Sequence, residues 1–146
     1  MRPALTIPDA LFRRMISHCG SSLPHEACGL LAGTGNTVSQ VYEMTNSEPS
    51  PVSYLMDPAE QFTALKEMRQ KGLRLLGIYH SHPQSQAYPS PKDVSLAFYD
   101  DAVYIIVSLI ERDNPEVRAF TIVTGDVDRV DIIVLSEGPA GSPDSP

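Results

Sequence analysis

Two histidines one residue apart, His80 and His82, stand at the end of an apolar run, Leu73-Arg74-Leu75-Leu76-Gly77-Ile78-Tyr79. In an extended strand, residues i and i+2 project from the same face about 7 Å apart, so two imidazoles at this spacing converge on one point. Neutral imidazole nitrogen ligates zinc at about 2.0–2.1 Å, and a catalytic zinc takes three protein ligands and keeps a fourth position for water. The next carboxylate along the chain is Asp93, reached through a loop carrying Pro83, Pro89 and Pro91 that can fold back over the strand end. His80, His82 and Asp93 are therefore candidate ligands for one Zn2+ per chain, and the chemistry they offer is hydrolysis by water activated at neutral pH.

Other readings of the same residues compete. Ser90-Pro91-Lys92-Asp93 has Ser at the N-cap, Pro at N1 and an acid at N3, which is the pattern of a helix start with a capping box. A lone pair of histidines is equally consistent with two half-buried side chains and no metal. Two His and one carboxylate also make the facial triad of non-haem iron oxygenases, but those sites usually sit in all-β double sheets, and this chain carries three capped helices. A zinc nucleobase deaminase needs H-x-E and P-C-x-x-C, and the sequence has neither. There is no internal repeat, glycine-rich phosphate loop or G-x-S-x-G elbow.

The stretch His80-Ser81-His82-Pro83, followed after six residues by Ser90 and after two more by Asp93, resembles the H-[ST]-H-P-x6-S-x2-D core of the JAMM (MPN-plus) metallopeptidases. Upstream, Pro24-His25-Glu26-Ala27-Cys28-Gly29-Leu30-Leu31-Ala32-Gly33 resembles the segment that carries their catalytic glutamate. The resemblance follows element order from about Ile7 to Leu135, and the length is similar to the short stand-alone bacterial forms. It implies a single α/β (α+β) domain, a cytidine-deaminase-like mixed β-sheet flanked by helices. It also implies that Glu26 is a proton carrier and no zinc ligand, whereas the residue alone reads as a solvated surface acid. For Ser90 two roles stand open: capping the helix, or stabilising the oxyanion as the family's matching serine does. One side chain is expected to manage only one of them, and the resemblance favours the second. Ser81 and Tyr79 alternate away from the metal face. The implied substrate is an amide that follows the C-terminal tail of a ubiquitin-like sulfur-carrier protein (ThiS/MoaD-like), for example one releasing a terminal cysteine. The non-enzymatic alternative is an MPN-minus interaction module, which lacks the ligands present here.

Several elements must hold these residues. Leu11, Phe12, Met15, Ile16 and Cys19 line one face of a helix that begins near Pro8 and that Gly20 ends. Ala27 to Ala32 and Val38 to Met44 read as two strands across the turn Gly33-Thr34-Gly35-Asn36. Residues 46–53 read as an irregular loop able to move over the cleft. Asp57-Pro58-Ala59-Glu60 caps a helix with Phe62, Leu65 and Met68 on one face, closed by Gly72, and the strand ending at His80 follows. After Ser90 a short helix runs to about Tyr99-Asp100. Three strands come next: Val103 to Ile110, Val117 to Val123, and Arg129 to Leu135. Asp126 and Asp128, in the turn region, are expected to face water.

Composition sets the remaining bounds. The 146 residues fit one domain with a substantial core, expected over 1–136, with 137–146 a disordered tail. A net charge of −7 and no basic run beyond Arg13-Arg14 leave no electrostatic footprint for nucleic acid or acidic membrane. Two cysteines, Cys19 and Cys28, are too few for a disulfide scaffold. The N-terminus lacks the apolar core of a signal peptide, and no apolar run is long enough to span a bilayer. The expectation is a cytoplasmic protein, monomeric or a weak homodimer.

Overall fold

The computed structural model describes residues 2–136. In chain order the elements are β1 (Leu5–Pro8), α1 (Asp9–Ser21), β2 (Cys28–Thr34), β3 (Thr37–Met44), α2 (Pro58–Gln70), β4 (Arg74–His82), α3 (Pro91–Ser95), β5 (Val103–Ser108), β6 (Glu116–Val123), β7 (Asp126–Val130) and β8 (Ile132–Leu135). The strands form one mixed sheet in the order β7-β6-β5-β4-β2-β3-β1-β8. β4 lies near its middle, antiparallel to β2 and parallel to β5. A parallel neighbour requires a crossover connection, and here the crossover is the stretch that carries Ser90, α3 and Asp93.

Both faces of the sheet are covered, as the successive pairs Leu30/Leu31 and Ile105/Ile106 show by dividing between two cores. On one face Met15 and Cys19 of α1 pack with Leu31, Leu76, Tyr79 and Ile105. On the other, Ala64 and Met68 of α2 pack with Leu30, Ile78, Ile106 and Phe120. Strand alternation then puts His80 and His82 on the α2 face with Ile78, and Tyr79 and Ser81 on the α1 face. α2 begins as its sequence requires: the Asp57 side chain accepts from the Ala59 and Glu60 amides at 2.9 and 3.1 Å, with Pro58 at N1. Gly72 follows the helix with φ +70, a conformation that glycine adopts without strain.

Three expectations need correction. The run from Arg129 to Leu135 is two strands, because the chain bends at Asp131: β7 pairs with β6, and β8 pairs with β1 at the opposite edge. One residue reaches about 3.8 Å, so the two edges must lie close together and the sheet curls toward closure. α3 stops at Ser95, since Leu96 already leaves the helix, and residues 96–102 form no further helical turn. Finally, Gly20 does not end α1, which runs on to Ser21. Gly20 is exposed, has no positive φ, and a methyl group there would meet nothing within 4 Å. Gly20→Ala should therefore stabilise the fold by about 0.5–1 kcal/mol, read as a raised denaturation midpoint; a lowered midpoint would show that this end of α1 is not helical in solution. Residues 137–146 lie outside the described residues.

Candidate metal centre

His80 and His82 close β4, buried to 1% and 3% exposure, and Asp93 stands at N3 of α3 beside them. The two Nε2 atoms are 3.1 Å apart, and each lies 3.1 Å from Asp93 Oδ2. Three ligand atoms bound at 2.0–2.1 Å to a tetrahedral ion stand about 3.3 Å from one another. The triangle formed here is thus close to one face of a zinc coordination tetrahedron, and these residues fit the ion. Among the described residues this is the one His/Cys/Asp/Glu group with ligand atoms so gathered.

The surroundings suit these side chains to ligation. His82 Nδ1 donates to the Gln86 carbonyl at 2.8 Å, which leaves the Nε2 lone pair facing the cluster. Burial holds His80 below the usual histidine range despite Asp93, so its imidazole is neutral and ready to ligate. The ring of Tyr54 lies against it, centroids 4.8 Å apart. Burial lowers His82 too, but the hydrogen bonds to Asp93 and Gln86 outweigh it and raise the group. Burial pushes Asp93 up; the His80 and His82 contacts and the Ser90 amide, 2.9 Å away, more than reverse this and keep it an anion well below the usual range.

Glu26 is no surface acid. It is 4% exposed, just before β2, and its Oε1 has no hydrogen-bond partner among the described residues. Burial lifts its carboxyl from an ordinary 4.5 to about 8; His82 and Lys92 pull it down, and the Asp93 charge pushes it up. The pairing of Cys28 with His80 and of Ala27 with Ser81 puts Glu26 beside the candidate ligands, and it is not one of the three gathered atoms. A buried, unpartnered carboxyl oxygen is costly, and such groups collect at functional sites.

Two residues that sequence reasoning passed over hold Glu26 in place. The Ser81 hydroxyl accepts from the Ala27 amide at 2.8 Å, while the Ser81 amide donates to the Ala27 carbonyl at 3.1 Å. The serine between the two histidines therefore ties the strand that carries them to the residue next to Glu26. Asn46 Nδ2 donates to the Glu26 carbonyl at 3.0 Å and to the Ser53 carbonyl at 3.3 Å, and its Oδ1 accepts from the Glu48 and Leu55 amides at 3.1 and 2.9 Å. The Glu26 amide donates to the Ser50 carbonyl at 2.8 Å. The 46–53 loop is thus fastened to the site by its own first residue. The usable signal was Asn46-Ser47-Glu48, an Asx turn directly after a strand.

Ser90 makes the complete capping box: its hydroxyl oxygen accepts from the Asp93 amide at 3.0 Å, and Asp93 Oδ2 accepts from the Ser90 amide. A hydroxyl has two lone pairs and one proton. The cap uses a lone pair and leaves the O–H to donate, so the two roles held apart in the sequence reading are compatible.

The family described as prokaryotic homologs of the JAB domain matches residues 8–123. The chain is 36% identical over 135 residues to the CysO-cysteine peptidase of Mycobacterium tuberculosis, covering 91% of this chain and 92% of that protein. It is 37% identical over 132 residues to a probable TtuB-protein conjugate cleaving protease of Thermus thermophilus, covering 90% and 83%. The solution structure of a Desulfitobacterium hafniense protein superposes with a TM-score of 0.83 at 41% identity, over 91% of this chain and 94% of that one.

Proposed function

The chain belongs to the prokaryotic JAB (JAMM) family of metallopeptidases, and from that premise we propose that it hydrolyses the amide following the Gly-Gly terminus of a ubiquitin-like sulfur-carrier protein. The released group is a single residue such as cysteine. The observation that carries this reading is the triangle of His80, His82 and Asp93 atoms with the unpartnered Glu26 carboxyl beside it. Relatives named for cleaving CysO-cysteine and TtuB-protein conjugates supply the substrate class.

Zinc, when bound by His80, His82 and Asp93, supplies a Lewis acid that polarises the carbonyl and makes water nucleophilic at neutral pH. Glu26 accepts a proton from the attacking water and returns it to the leaving nitrogen. Ser90 donates its free O–H to the carbonyl oxygen as negative charge develops there. Ser81 and Asn46 hold the peptide group that follows Glu26 and the Ser50 carbonyl holds the amide that precedes it, so the carboxyl need not be reorganised during turnover. Two glycines carry no Cβ, so an extended tail ending in them brings its backbone to the site without a side chain to place.

The test uses zinc-loaded protein with one carrier ending Gly-Gly-Cys and the same carrier ending Ala-Val-Cys, read by intact mass. Cleavage of the first alone is expected. Equal cleavage of both, or degradation of an unrelated unfolded protein while neither carrier is cut, would make the chain a general peptidase. Ser90→Ala should lower turnover by about 10²–10³ through the lost oxyanion donor and stability by about 1 kcal/mol through the lost cap. A loss of stability with unchanged turnover would reduce Ser90 to its cap.

A further inference from the structure

The sheet face that bears the metal ligands also bears a cavity of about 190 Å³, floored by Leu30, Ile78, Ile106 and Ile122, with His80 and Asp93 in its wall. An apolar cavity of about 150 Å³ takes up benzene, so this one is sized for a single leucine or phenylalanine side chain. Lys92 also lines it, is exposed, and forms no ion pair among the described residues.

We infer that this cavity receives the side chain of the residue released, and that the enzyme selects one apolar C-terminal residue whose free carboxylate pairs with Lys92. The inference rests on the Gly-Gly reading above. Two residues on the acyl side have no side chain to place, and the cavity begins at two of the metal ligands. The first side chain within reach therefore belongs to the residue on the leaving side, which follows the scissile carbonyl by about 3.3 Å of extended chain. Hydrolysis breaks its amide C–N bond; the water oxygen joins the glycine carbonyl carbon, and the residue departs as a free amino acid with its amine protonated. Cysteine fits as a small apolar side chain but fills little of the volume, so leucine, methionine or phenylalanine should be better. Aspartate would bring a second carboxylate onto an apolar floor while Lys92 is already paired with the terminal one. A residue joined onward through its carboxyl would offer Lys92 no anion.

Zinc-loaded protein is given carriers ending Gly-Gly-Leu, Gly-Gly-Ala, Gly-Gly-Asp and Gly-Gly-Leu-amide, and kcat/KM is measured for each. The leucine carrier should exceed the alanine carrier by about tenfold or more, with aspartate last, and amidation should cost about threefold. Leu96→Trp, at the half-exposed rim, and Ile106→Phe, from the floor, should each draw the Leu:Ala ratio toward one. Lys92→Met should draw the acid:amide ratio toward one. Ile106→Phe risks the fold, so the Leu96 variant decides if the former does not fold. Equal rates for Leu, Ala and Asp carriers would overturn the pocket alone. Failure to cut any carrier would overturn the Gly-Gly reading and the pocket with it.

Discussion

Alanine at His80, at His82 or at Asp93 should each abolish stoichiometric zinc and, with it, turnover. Three protein ligands are the minimum for an open catalytic site, and the structure gathers no fourth His, Cys, Asp or Glu with them among the described residues. Loss of a residue that merely orients a ligand costs about 10–100-fold in metal affinity, so loss of a ligand should cost more. Elemental analysis after gel filtration reads the first effect, and the Gly-Gly-Cys carrier the second; full zinc in any of the three variants would refute the ligand set. The fold should persist, because cores on both faces of the sheet hold it without the ion. Chelation should likewise leave the far-UV signal intact, unlike a zinc finger, whose metal binding is its folding energy. The variants differ in one respect. Asp93→Ala also removes half of the capping box at Ser90, a loss of about 1 kcal/mol, whereas His80→Ala leaves a cavity where a fully buried ring stood.

The candidate ligands were legible because each sits in a pattern with one physical meaning. His-x-His at the end of an apolar run has strand periodicity, and Ser-Pro-x-Asp is a helix start that fixes where the third ligand points. What stayed hidden depends on distant parts of the chain. A glutamate before an apolar run reads the same whether solvated or buried; Glu26 is buried because Asn46 and Ser50, some twenty residues on, bond its backbone. Only the family resemblance marked it. Ser81 was set aside because alternation turns it from the metal, and that orientation is what lets it reach Ala27. The bend at Asp131 was invisible because apolar residues continue across it, and only the pairing of β8 with β1 separates the two strands. β1 itself is four residues long, too short for its alternation to stand out before the helix.

Glu26→Gln separates the proposed proton carrier from the candidate metal site, since glutamine keeps the size of the side chain and removes its basicity. Zinc content should be unchanged, while turnover should fall by at least about 10², and by up to about 10⁴ if no other group relays the proton. Wild-type rates in this variant would sink the proposed mechanism. A second readout is independent of catalysis. In the metal-free protein the Glu26 carboxyl titrates near 8 against an ordinary 4.5, chiefly because of burial. The folded state therefore holds a proton that the unfolded chain has already released, and stability drains away as pH rises from about 4.5 through 8. Glutamine has nothing to ionise. Metal-free Glu26→Gln should accordingly be more stable than metal-free wild type at pH 8, by about 1 kcal/mol or more, and the gap should close near pH 4. Denaturant midpoints at the two pH values measure it; a variant less stable than wild type at pH 8 would show that Glu26 is neither buried nor poised as described. A residue that weakens its own fold once ionised, and whose Oε1 no neighbour among the described residues satisfies, suits the base role proposed for Glu26. A dication held by His80, His82 and Asp93 would lower that carboxyl toward its ionised form, so loading the site would convert the buried acid into the base that the proposed mechanism needs.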